Sequence, residues 1–329
     1  IVVGALIGNY VPAAHENLNR IQVSEVSLPL FIGLLVMMYP VLCHVEFESL
    51  GALLKQRAFW YHFLVSFIFN WLIGPFVMTG LAWATLPDLP EYRTGVILIG
   101  LARCIAMVLI WNQLAHGHRE YCALLVAFNS ILQIALYAPL ALFFIRVLAP
   151  ASERANGSNS QMHLSYWVVA RSVLIFLGAP LGAAIITRVV LRYLLGLRRW
   201  YDERFVPAIS PLALVGLLFT ILIMFISQGG QIVDKIGYVA RTGVPLLIYF
   251  PIMFSGTFYL CYRLGFTYEH CVTQSFTSAS NNFELAIAVA VATYGLDSAE
   301  ALASVVGPLI EVPVLLILVY ACLWLRDRW

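Results

Sequence analysis

Long apolar runs, bounded by charged residues and by Pro/Gly clusters, recur along the whole chain. A run of about 20 apolar residues is long enough to cross a bilayer as a helix. On that basis ten spans are predicted, at 1–12, 28–44, 59–86, 94–115, 121–148, 164–190, 207–228, 238–261, 270–294 and 299–325. The chain opens inside an apolar stretch, IVVGALIGNYVP, so the first span is expected to be partial. Connections are short, except for polar 150–163 and basic 188–204.

Composition narrows the class. Of 329 residues 61% are apolar and 11% charged, and the mean hydropathy is +0.87. A soluble domain carries about 25% charged residues, so too few are present here to cover a water-exposed surface. The expected fold class is therefore an all-α integral membrane protein with ten transmembrane helices. The net charge of +2 excludes nucleic-acid binding, which needs a concentrated basic face. Six scattered cysteines, with no C-x-x-C, make no disulfide framework.

Arginine and lysine placement sets the expected orientation. With the N-terminus in the cytoplasm, eleven of the nineteen fall on inner connections and six on outer ones. Both termini are then cytoplasmic, and the glycosylation sequon Asn156-Gly157-Ser158 lies outside. Ten spans divide into five and five, and an odd-numbered half must repeat upside down. A repeat appears at an offset of 178, which sets Cys104 on Asn282, Gly117 on Gly295, Asn129 on Gly307 and Gln133 on Glu311. The expected halves are 1–160 and 161–329. Inverted repeats are a recurring build of secondary transporters, with the site where interrupted helices meet near the midplane.

The informative residues are polar ones inside apolar spans. The fourth span, GLARCIAMVLIWNQLAHG, holds Arg103, Cys104, Trp111 and Asn112; the fifth holds Asn129 and Gln133. The ninth, FTSASNNFELAIAVAVATYG, holds Ser278, Ser280, Asn281, Asn282 and Glu284, and the tenth places Glu311 between Pro308 and Pro313. A bare charge at mid-bilayer costs about 2.5–3.5 kcal/mol on insertion scales. Arg103, Glu284 and Glu311 could form an ion pair that locks helices. Because these charges cluster on helices that also show breaks, the functional reading is preferred: a carboxyl in such surroundings can take a proton on one side of a transport cycle and release it on the other.

Residues 278–282 are poor helix formers, because their side chains compete for backbone hydrogen bonds. A break there would leave free N–H groups at the start of a second half-helix, which attracts oxygen-rich ligands. Polar packing between helices is the other use of such residues. Cys104 adjoins an in-membrane arginine, and a thiolate selects soft, thiophilic partners, although a lone membrane cysteine also serves as packing. Trp60, Trp71, Trp83, Trp167, Trp200, Tyr201, Trp324 and Trp329 are read as interface anchors. His116 and His118 share a turn with no third ligand nearby in sequence, so no metal site is expected there.

Taken together, MMYPVLCHV, NWLIGPFVM, GLARCIAMVLIWN, LVAFNSILQ, FTSASNNFELAIAVA and GPLIEVPVLL resemble the arsenite efflux permease family, part of the bile acid/arsenite/riboflavin transporter superfamily. The resemblance runs from Leu28 to Tyr320. It implies two inverted five-helix repeats, with a panel domain against a core domain in which the fourth and ninth helices are broken and cross. It further implies export of arsenite, in some members antimonite, from the cytoplasm in exchange for protons. The plasma membrane is the expected location, and no cofactor and no obligate protein partner are expected. Carried over, the substrate-binding residues are Cys104, which engages the transported arsenic, Asn129, Asn282 and Trp111; those of proton coupling are Glu284, Glu311 and Arg103. No catalytic residue is implied. His118 departs from an acidic residue expected in many members. A sodium-coupled organic-anion carrier of the same superfamily is the competing transporter reading, and it would give Cys104 no role. An intramembrane enzyme is disfavoured, since neither H-E-x-x-H nor a nucleophile elbow occurs. A channel or receptor would not need two buried carboxylates beside an arginine.

Overall fold

A computed structural model describes residues 2–10, 18, 20–23, 26–44, 57–105, 107–148 and 164–328. The sequon at Asn156 lies outside the described residues. The helices are α1 (Val2–Tyr10), α2 (Leu28–Cys43), α3 (57–85), α4 (Pro90–Leu101), α5 (Met107–Leu114) and α6 (Arg119–Val147). They continue with α7 (Tyr166–Leu194), α8 (198–234), α9 (Ile236–Arg263), α10 (Tyr268–Ala279), α11 (Phe283–Tyr294) and α12 (Ala299–Arg326). Among the described residues six helices (α3, α6, α7, α8, α9 and α12) are long and apolar enough to cross a membrane. The protein is thus a multi-pass, all-α membrane protein. One small departure is a ribbon of two two-residue strands, β1 (Gln22–Val23) and β2 (Val26–Ser27), leading into α2.

The predicted fourth and ninth spans are each split into two short helices, α4–α5 and α10–α11. The breaks include 102–105 and 280–282, the second inside the Ser/Asn stretch whose propensity disfavours a helix. The basic stretch 188–204 differs from expectation. It is helical except for 195–197, because α7 and α8 extend beyond their apolar segments, and Arg192 and Asp202 pair across the turn at 3.2 Å.

Local chemistry accounts for the element ends. Pro90 opens α4, where a missing N–H costs nothing. Ser298 caps α12 by accepting from the Ala301 N–H at 3.1 Å. Gly265, at φ 79°, closes α9, with the Phe266 N–H on the Cys261 carbonyl and the Gly265 N–H on that of Tyr262. Widened π-turns at Ile68–Ile73 and Leu174–Gly178 sit just ahead of Pro75 and Pro180, whose missing N–H leaves a carbonyl of the preceding turn free.

Packing separates two groups of helices. In one, α8 lies against α1 and α2, and α7 against α2; in the other, α3, α4, α9, α10, α11 and α12 pack on one another. α7 touches α6 and α11 and so links the groups. α11 is buried all round except at Glu284, Thr293 and Tyr294, as a mainly apolar helix in a bundle interior must be. α8 is the least buried span, and its exposed Leu212, Leu214, Val215 and Leu218 suit lipid.

Candidate functional site: two broken helices in contact

The two breaks touch. Ala102 and Ser280, which end α4 and α10, are extended, and the chain beyond them forms an isolated antiparallel bridge between Arg103 and Asn281. The Asn282 N–H donates to the Ala102 carbonyl at 3.1 Å, and Asn281 Nδ2 donates to the carbonyls of Ile99 and Ala102 at 2.9 and 3.1 Å. Backbone groups freed by one break are therefore satisfied by the other, which is how non-helical chain is tolerated at membrane depth.

The residues that meet are those the 178-residue offset relates. Arg103 bridges Asn281. The Arg103 N–H donates to Gln133 Oε1, and the Asn281 N–H donates to Glu311 Oε1 at 3.3 Å. Cys104 Sγ accepts from the Val108 N–H at 3.3 Å at the start of α5, while Asn282 Oδ1 accepts from the Leu285 N–H at 3.0 Å at the start of α11. A thiol and an amide thus occupy corresponding positions, each at the N-terminus of a half-helix.

Cys104 is 3% exposed and lies within electrostatic reach of Glu284 and Glu311. Arg103 does not join them. Successive side chains along extended chain point to opposite sides, and the Arg103 guanidinium donates instead to the Gly100 carbonyl and, at 3.3 Å, to the Tyr249 hydroxyl. Among the described residues it makes no direct ion pair with either carboxylate. The slot exists because residue 74 is glycine: a Cβ there would lie 3.0 Å from Arg103 Nη1 and 3.1 Å from the Tyr249 hydroxyl.

Around the crossing several buried donors have no partner among the described residues: Trp111 Nε1, Asn129 Nδ2, Gln133 Nε2 and Asn282 Nδ2. Asn281 Oδ1 is likewise unpartnered. A preponderance of N–H groups suits an oxygen-rich ligand, since unmet buried donors are costly. Asn129 Oδ1 is already engaged, by the Trp71 indole N–H at 3.0 Å. Trp71 is 4% exposed and Tyr201 is fully buried, its hydroxyl donating to the Cys43 carbonyl, which corrects their reading as interface anchors; Trp60, Trp167, Trp200 and Trp324 are exposed as expected, and Trp329 lies outside the described residues. Gln133, Trp71 and Tyr249 extend the site beyond the residues singled out for a role. The repeat offset marks Gln133 as the counterpart of Glu311; no sequence pattern marks Tyr249.

Glu284 faces open space. It lines a cavity of about 310 Å³ between the two helix groups, walled by Met37 and Val41 of α2, Met107 and Asn112 of α5, and Ala213 and Leu217 of α8. His44 and Arg119 stand at the mouth, where α2 stops and α6 begins. Glu284 also borders a chamber of about 20 Å³ lined by Thr220, Val305 and Pro308. The carboxylate therefore borders both a wide cavity and a narrow one.

Residues 31–235 match the model of the Sodium Bile acid symporter family. The chain is 46% identical over 326 residues to the arsenical-resistance protein Acr3 of Corynebacterium glutamicum, covering 99% of this chain and 86% of that one. It is 31% identical over 333 residues to Acr3 of Alkaliphilus metalliredigens, covering 97% and 88%. An uncharacterized transporter of Synechocystis is 34% identical over 341 residues, covering 98% and 85%.

Proposed function

Because the chain belongs to the arsenite efflux permeases of the sodium bile acid symporter family, we propose that it exports trivalent arsenic from the cytoplasm in exchange for protons, with antimonite as a second substrate. It is a transporter and not an enzyme. The observation that carries the reading is the buried Cys104 thiol at the start of α5, set against Asn282 at the start of α11.

Arsenite at neutral pH is a small uncharged trihydroxide with a thiophilic centre. Cys104 supplies the soft ligand: its Sγ bonds arsenic, and one hydroxyl leaves as water with the thiol proton. Reversal of that step releases the cargo. The free donors of Asn129, Asn282 and Trp111 take the remaining oxygens. A single thiol holds arsenic weakly enough to let it go.

Glu284 carries the proton. That it borders both the wide cavity and the narrow chamber supports this role, since a coupling group must meet both sides of the membrane in turn. With the N-terminus in the cytoplasm, the wide cavity opens inward and the narrow chamber lies outward. The chain reads as two five-helix repeats, 1–160 and 161–329, of opposite sense. α1, α2, α7 and α8 make a panel and the remaining helices a core that rocks against it. The 178-residue offset supports the repeat: it carries Pro90, the first residue of α4, onto Tyr268, the first of α10.

Arsenite uptake into inside-out plasma-membrane vesicles tests the scheme. Uptake is expected to rise with an imposed pH gradient, to ignore a sodium gradient, and to be lost in Cys104→Ala. In Glu284→Gln the response to the pH gradient disappears. Uptake driven by sodium alone would replace proton exchange with the competing carrier mechanism.

A further inference from the structure

Two carboxylates stand near Cys104, and the structure gives them different surroundings. Glu284 borders both compartments. Glu311 lines neither, is 2% exposed, and uses Oε1 to accept the Asn281 N–H at 3.3 Å. In the other half Gln133, fully buried, accepts the Arg103 N–H through its own Oε1. Arg103 and Asn281 are the bridged pair, so the two acceptors hold the two strands of one contact. An amide performs in one half what a carboxylate performs in the other. What the place requires is an oxygen to receive a backbone N–H, and a net charge is not part of that requirement.

We propose that Gln133 and Glu311 are a matched pair of positioning residues, which hold the interrupted stretches of the crossing against each other, and that Glu311 acts as an acceptor while Glu284 alone carries the exchanged proton. This rests on the exchange mechanism above and assigns its proton to one of two candidates. Among the described residues Cys104 and Glu284 lie within electrostatic reach of Glu311; the Arg103 guanidinium is turned toward Gly100 and Tyr249. Without an acceptor at 311 the Asn281 N–H is stranded in the protein interior, and such a loss is costly. α11 begins two residues later, so its capping residue, Asn282, shifts with it.

Arsenite uptake into inside-out vesicles, measured across a series of imposed pH gradients, separates the roles. Glu311→Gln is expected to keep uptake within about threefold of the parent, with the same dependence on the gradient, because it copies the Gln133 arrangement. Glu311→Leu and Gln133→Leu are each expected to lose about tenfold or more. Glu284→Gln loses the gradient dependence. Should Glu311→Gln abolish that dependence as Glu284→Gln does, the assignment is overturned and Glu311 is a proton carrier.

Protons displaced per arsenite bound to purified, detergent-solubilised protein give a second reading that does not depend on transport. Glu311→Gln should match the parent, and Glu284→Gln should displace fewer; a deficit in Glu311→Gln overturns the assignment. If the parent protein shows no gradient dependence, proton exchange itself fails. The acceptor role then stands or falls on arsenite affinity, which Glu311→Gln should retain and Glu311→Leu should lose.

Discussion

Cys104 answers two demands with one atom: its sulfur accepts the Val108 N–H at a half-helix start, and it offers a soft ligand beside the crossing. Serine separates them, since a hydroxyl also accepts from that N–H but is a poor partner for arsenic. Cys104→Ser should therefore leave the thermal midpoint of the purified protein nearly unchanged while arsenite uptake falls about tenfold or more, as for loss of a metal-site contact. Parental uptake in that variant would remove the thiol from the mechanism. The sequence marked Cys104, Asn282 and Glu284 because each is a reactive or polar group inside an apolar span. It did not mark the turning away of Arg103, which depends on the local chain being extended and on a glycine at 74 in a different helix.

Helices here approach closely where a side chain is absent. A Cβ on Gly95 of α4 would lie 2.5 Å from the Glu300 carbonyl oxygen and 2.7 Å from Ala303 Cβ of α12. Backbone cannot swing aside, so Gly95→Ala should force α4 and α12 apart and cost about 1–3 kcal/mol, read as a lowered thermal midpoint in detergent. At the opposite edge of α4 the turn is tied to α9 by Arg241, which donates to both oxygens of Asp88 at 2.6 and 2.8 Å. That hydrogen-bonded guanidinium holds the Asp88 carboxyl below its ordinary range. A group depressed on folding adds stability above its unfolded value and loses it as pH falls through the folded one. The midpoints of the parent and Asp88→Asn should thus differ at neutral pH by the small amount an exposed pair gives, and converge on acidification below the carboxylate range. Propensity foretold the break at 280–282. The break at 102–105 has no comparable Ser/Asn run and was named only through resemblance.

Across the molecule, the wide cavity between the helix groups fixes which side is open. The described cysteines, all six, are buried, so a cysteine placed at Ala213 of the cavity wall should report alone. A membrane-impermeant maleimide is expected to label Ala213→Cys in inside-out vesicles and to spare it in right-side-out ones; the reverse pattern would invert the assigned orientation. Apolar run length and charge scarcity were enough to establish a multi-pass helical chain, and the 178-residue offset named pairs of positions, Arg103 with Asn281 among them, that lie in contact. Those properties are local and additive, and lipid imposes them on every span alike. Which corresponding residues touch, which acid meets the cavity and which is sealed behind a backbone N–H were decided by tertiary contact. Each depends on side chains from helices far apart in sequence converging on one small volume, and no pattern along a single chain records that direction.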